Sequence, residues 1–241
     1  MTYILVILIL AVLILIHELG HLVAAKYAKI PVARFSVGFG PKLWGWKSNE
    51  TEYWLAPVPL GGYVLPYITD ERGLSDYSLF QRVVLSLGGP VANILAALVC
   101  LSIATAAGSG ISLSSVLVEP LLHSFRIGHQ IVLAIPALFY HPEKLSGVVG
   151  IVAFGGHNAG ADFSRLLMFS VLLNINLAIL NMLPIPPLDG GKIVFYLLES
   201  ICKPLKRLQV PVTIGGWALI MGIMFYATVM DIQHLIGRAV S

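Results

Sequence analysis

From residue 2 to residue 25 the chain reads TYILVILILAVLILIHELGHLVAA, an apolar run whose one charged side chain, Glu18, stands between His17 and His21. About 20 such residues suffice to cross a bilayer as a helix. A helix in that setting must close its backbone hydrogen bonds within itself, so this stretch fixes both the local conformation and the solvent. It does not read as a cleaved leader. No basic start precedes it, it is too long, and it ends in HELGH instead of a small-residue cleavage site.

Three more apolar runs follow, at about 80–107, 166–183 and 212–232. With 57% hydrophobic and only 11% charged residues, against about 45–50% and about 25% in soluble domains, the bilayer is the expected solvent throughout. The expected fold is an α-helical integral membrane protein of about four transmembrane helices, forming one domain over 1–241. Between the first two spans, Gly, Pro, aromatic and β-branched residues predict a small membrane-associated β-sheet at about 34–65, with Gly61–Gly62 as a turn from which a strand leaves. The segment 116–145 is harder. Its apolar part, 132–140, is short, interrupted by Pro136 and flanked by His129, His141 and Lys144, which predicts an interfacial segment.

Basic residues set the expected orientation. Seven lie between the first two spans (Lys26, Lys29, Arg34, Lys42, Lys47, Arg72, Arg82) and four between the last two (Lys192, Lys203, Lys206, Arg207), whereas the other side holds Arg126, Lys144, Arg165 and Arg238. Positive residues accumulate on the cytoplasmic side, so both termini are expected outside it. The net charge of +3 and the absence of basic–aromatic interleaving predict no nucleic-acid partner. Cys100 and Cys202 occupy unrelated contexts and predict neither a disulfide nor a thiolate metal site.

On a helix, His17 and His21 project from one face about one turn apart, a spacing that suits two imidazoles on one Zn²⁺. Glu18 beside them is placed to take a proton from water, as in the H-E-x-x-H pattern of zinc hydrolases. The alternative is a polar pairing within a helix bundle. Ionisable groups inside an apolar helix cost about 2.5–3.5 kcal/mol per charge, which weighs toward function. A catalytic zinc takes three protein ligands. Asp189, just past the third span in NMLPIPPLDGG, is the candidate third, where closely spaced prolines end the helix and two glycines free the backbone; a plain helix-capping Asp is the other reading. His157, in FGGHNAG, has no partner at ligand spacing and reads as a loop or interfacial residue.

Together HELGH, GFGPKLW (38–44), PLGGYV (59–64), GGPVAN (88–93), LSGVVGI (145–151) and NMLPIPPLDGG (181–191) resemble the site-2 protease family of intramembrane zinc metalloproteases. The likeness is to bacterial members that cleave anti-sigma factors. It implies zinc as cofactor on His17, His21 and Asp189, with Glu18 as the catalytic glutamate. It further implies that Asn176 and Asn181 hold the substrate backbone, though an interhelical hydrogen bond would explain either. The sheet would take substrate as an added strand, with Gly61 and Gly62 among its contacts, or else merely seal the cavity.

The resemblance also implies a bacterial cytoplasmic membrane location, an active site toward the cytoplasm, and single-span membrane proteins as substrates, such as anti-sigma factors or remnant signal peptides. One departure stands out: residues 108–144 are too few for the PDZ domain usual in that branch. A membrane metal transporter or a non-catalytic membrane-protein binder is the competing class, since intramembrane His, Glu and Asp also mark ion pathways.

Overall fold

The computed structural model describes residues 2–67, 73–140, 145–158 and 162–240. Arg72, His141 and Lys144, used above, lie outside them. Seven helices are described: α1 (Thr2–Tyr27), α2 (Leu79–Ser109), α3 (Glu119–Tyr140), α4 (Val148–Asn158), α5 (Phe163–Asn181), α6 (Asp189–Ile201) and α7 (Gln209–Val240). Four strands, β1 (Val32–Phe39), β2 (Trp44–Ser48), β3 (Thr51–Leu55) and β4 (Val58–Pro66), separate α1 from α2. Four helical stretches are long and apolar enough to cross a membrane: Thr2–Tyr27, Leu79–Ser109, Phe163–Asn181 and Lys203–Gly237. The chain is a helical membrane protein with a small sheet between its first two spans.

The α1–α2 crossing organises the bundle. Gly20 of α1 lies against the Gly88 carbonyl, and a Cβ on Gly88 would stand 2.5 Å from the Gly20 oxygen and 2.6 Å from the Ala24 methyl. Only hydrogen in place of a side chain permits that approach, and close backbone contact is how helices associate in lipid. Thus the small residues of SLGGP serve α1, and Pro90 sits inside α2 without ending it. Further along α2, Ala97 and Leu101 pack with Val171 and Ile175 of α5.

The sheet order is β2-β3-β1-β4, with β1 parallel to β3 and antiparallel to β4, so β4 is a terminal strand. Phe35, Val32 and Ile30 bury with Leu22, Ala25 and Leu85, joining the sheet to the inner ends of α1 and α2. Gly61 and Gly62 do not make the expected turn. Both lie within β4, Gly62 opposite Val37, and their lack of side chains answers packing: a Cβ on Gly61 would run into the Phe39 ring.

Two helices were not foreseen, α4 and α6, and the segment expected to be interfacial holds the 22-residue α3. Pro136 sits within α3. Ile127 and Ile131 of α3, both half-buried, pack against the cluster formed by α2 and α5. Asp231 of α7 accepts hydrogen bonds from the Gly147 and Gly150 amides at 2.9 and 2.7 Å, tying the start of α4 to the last helix.

Candidate metal centre

His17 and His21 lie about 22 and 28 Å along α1 from its first residue, Thr2, at about 1.5 Å per residue. Asp189 is the first residue of α6. Residues 182–187 fold back across that first turn, so closely that a Cβ on Gly190 would meet the Met182 backbone and one on Gly191 would stand 2.5 Å from Ile185 and Pro186 backbone atoms. The Gly-Gly after Asp189 is therefore a steric requirement of the loop that delivers the carboxylate.

The three side chains converge. Nε2 of His17 is 3.2 Å from Nε2 of His21, and Asp189 Oδ2 lies 3.3 Å from the first and 3.2 Å from the second. Donors about 2.0–2.1 Å from a tetrahedral zinc stand about 3.3–3.4 Å apart, so this near-equilateral triangle has the size of one face of such a site. All three are buried, with exposures of 7%, 8% and 3%.

The protonation pattern also favours a cation. His21 Nδ1 donates to the Leu85 carbonyl at 2.8 Å, which leaves its Nε2 as a bare lone pair pointing at a carboxylate. Asp189 Oδ2 accepts no hydrogen bond. Facing acceptors in a dry site repel unless a metal or proton lies between them. The Lys192 ammonium beside Asp189 favours the ionised, ligating form of the carboxylate. Lys192 Nζ donates to Asp189 Oδ1 at 2.9 Å.

Glu18 is half-buried and lies within electrostatic range of His21, His17, Lys192 and Asp189. It faces β4: a Cβ on Gly62 would stand 2.9 Å from Glu18 Cγ. Gly61, on the opposite strand face, is turned to Phe39 instead. Asn176 is half-buried, and Asn181, the last residue of α5, donates back to the Leu177 carbonyl at 3.0 Å. Neither is hydrogen-bonded to the cluster. His157 is exposed near the end of α4 and is no part of it.

One contributor escaped the sequence reading. Gly89 packs on both rings, where a Cβ would fall 2.5 Å from His17 Cε1 and His21 Nε2; SLGGP signalled close approach without saying to what. Asn93 and Asn174 are fully buried, the former with no hydrogen bond from either amide atom and the latter with Oδ1 unpaired. An amide inside an apolar run was the available signal.

Comparison with known proteins places this arrangement in context. The profile of Peptidase family M50 matches residues 5–224. A Synechocystis protein carrying the name "Putative zinc metalloprotease" is 26% identical, covering 94% of this chain and 93% of its own. One from Clostridium perfringens with the same name is 27% identical over 91% of this chain and 95% of its own. A Treponema pallidum protein, named likewise, reaches 38% identity over 118 residues, 42% of this chain and 26% of its own. The Synechocystis alignment runs over 342 positions against the 241 residues here, so that relative holds about a hundred residues without a counterpart.

Proposed function

Because this chain belongs to Peptidase family M50, we propose that it is an intramembrane zinc metalloprotease hydrolysing peptide bonds in or near the transmembrane segments of other membrane proteins. The observation that carries this reading is the His17–His21–Asp189 triangle, of zinc-site dimensions, with Glu18 beside it and the terminal strand β4 against Glu18. Those three residues would hold the zinc. Zinc bound there supplies Lewis-acid polarisation of the attacking water and the scissile carbonyl. Glu18 takes a proton from that water as its oxygen bonds to the carbonyl carbon. It then gives the proton to the amide nitrogen as the C–N bond breaks.

A transmembrane helix hides its peptide bonds, so the substrate must be unwound. The terminal position of β4 supports strand addition, in which main-chain hydrogen bonds hold an extended peptide along Gly62 and hence beside Glu18. Asn176 and Asn181 serve as further holds on that peptide, each through its amide. The proposed substrates are single-span membrane proteins, anti-sigma factors or remnant signal peptides, cut in regulated proteolysis or signal-peptide clearance. The basic-residue count supports a site toward the cytoplasm with both termini outside, and the bacterial relatives support a bacterial cytoplasmic membrane. The hundred residues lacking relative to the Synechocystis protein are consistent with the absence of a PDZ module.

The test compares wild type with Glu18→Gln, purified in detergent and reconstituted, on a panel of single-span substrates. One zinc per chain in both proteins, with cleavage lost in the variant, is the expected result. Equal cleavage by the variant overturns the role of Glu18, and zinc flux without cleavage in wild type selects the transporter class.

A further inference from the structure

The two oxygens of Asp189 have separate duties. Oδ2 faces the histidine nitrogens, at 3.3 and 3.2 Å. Oδ1 takes the Lys192 ammonium at 2.9 Å. A carboxylate free on both oxygens can swing between one-oxygen and two-oxygen ligation, and the choice decides how many positions a zinc retains for water and substrate.

Lys192 does not act from a loose helix. Asp189, Lys192, Tyr196 and Glu199 are spaced three, four and three apart, so they share one face of α6. That face is fastened to α2. Glu199 pairs with Arg82 at 2.6 Å and accepts from the Ser75 hydroxyl at 3.0 Å, while the Arg82 guanidinium lies 4.9 Å from the centre of the Tyr196 ring. Arg82 and Glu199 are buried despite being 117 residues apart. The same helix α2 carries Leu85, whose carbonyl orients His21, and Gly89, which abuts both rings. Rotation of α6 is thus set by the element that also orients a histidine.

We propose that Lys192 is a positioning residue that ties Asp189 Oδ1 and so presents Oδ2 alone to the zinc, on a helix locked to α2 by the Arg82–Glu199 pair. This rests on the metal-site reading above. Partners of metal ligands of this kind change affinity by about 10- to 100-fold when removed. A lysine that merely solvates the helix surface leaves affinity and coordination untouched.

The experiment uses the full chain in detergent, stripped and reloaded with zinc or cobalt(II), comparing wild type, Lys192→Met, Lys192→Arg and Asp189→Asn. Affinity is read by competition with a chromophoric chelator, and coordination number by the intensity of the cobalt visible bands, which weakens as ligands are added. Lys192→Met is expected to bind zinc about 10- to 100-fold more weakly, with weaker cobalt bands. Lys192→Arg restores both, and its recovery also shows that the position tolerates substitution without unfolding. Wild-type affinity and bands in Lys192→Met overturn the positioning role while leaving the metal site standing. Wild-type zinc binding in Asp189→Asn, or none in wild type, overturns the metal site and this role with it.

Discussion

His21 Nδ1 donates to the main-chain oxygen of Leu85 at 2.8 Å, joining a histidine of the candidate metal centre on α1 to the backbone of α2. No side-chain substitution at position 85 removes that acceptor, so the tautomer of His21 is fixed by the helix crossing itself. Gly89, one turn further along α2, completes the seat. An added methyl there would lie 2.5 Å from atoms of both rings. Gly89→Ala is therefore expected to weaken zinc binding about a hundredfold or more, beyond the usual range for a ligand's partner because two ligands move together. Gly222→Ala, in open space on α7, is the control and should bind as wild type. Chelator competition measures both; wild-type affinity in Gly89→Ala would show that the rings sit elsewhere.

Gly62 separates binding from chemistry. Its Cβ position is 2.9 Å from Glu18 Cγ and 2.7 Å from the Ser36 carbonyl, so alanine displaces either the glutamate or the strand. Neither Glu18 nor the strand supplies one of the three candidate donor atoms. Gly62→Ala is expected to keep one zinc per chain and lose about 100-fold in kcat, the scale on which a 1 Å misplacement of a reacting group is felt. Cleavage of a single-span substrate with parallel zinc analysis checks this. Unchanged kcat would mean that Glu18 does not work at the β4 surface.

Much of this site is legible in the sequence for a physical reason. Polar groups inside an apolar helix are costly, so His17, Glu18 and His21 declare themselves, and the prolines of PIPPLDGG must end or break the helix just before Asp189. Gly61–Gly62 misled because glycine is permissive in turns and equally necessary where another atom fills the place of a side chain, here the Phe39 ring and Glu18. Helix α6 was missed although its polar residues 189, 192, 196 and 199 keep helical spacing, since two glycines at its start mask the pattern. The pairing of Arg82 with Glu199, across 117 residues, had no local signal at all.

That pair carries the last expectation. Arg82 and Glu199 are both buried, and removing one partner strands the other as an uncompensated charge, which typically costs about 3–5 kcal/mol. Removing both substitutes apolar packing for the ion pair and costs far less. Unfolding in detergent should place Arg82→Met well below wild type and the double variant Arg82→Met/Glu199→Met between the two. The coupling in the double-mutant cycle, the two single losses minus the double loss, is then expected to be at least about 3–5 kcal/mol. Additive losses would mean that each side chain stabilises its own helix independently and that α6 is oriented by packing alone. The distinction matters for catalysis because Asp189 and Glu199 lie on one helix face about 15 Å apart, so a helix free to turn at Glu199 also turns its carboxylate away from His17 and His21.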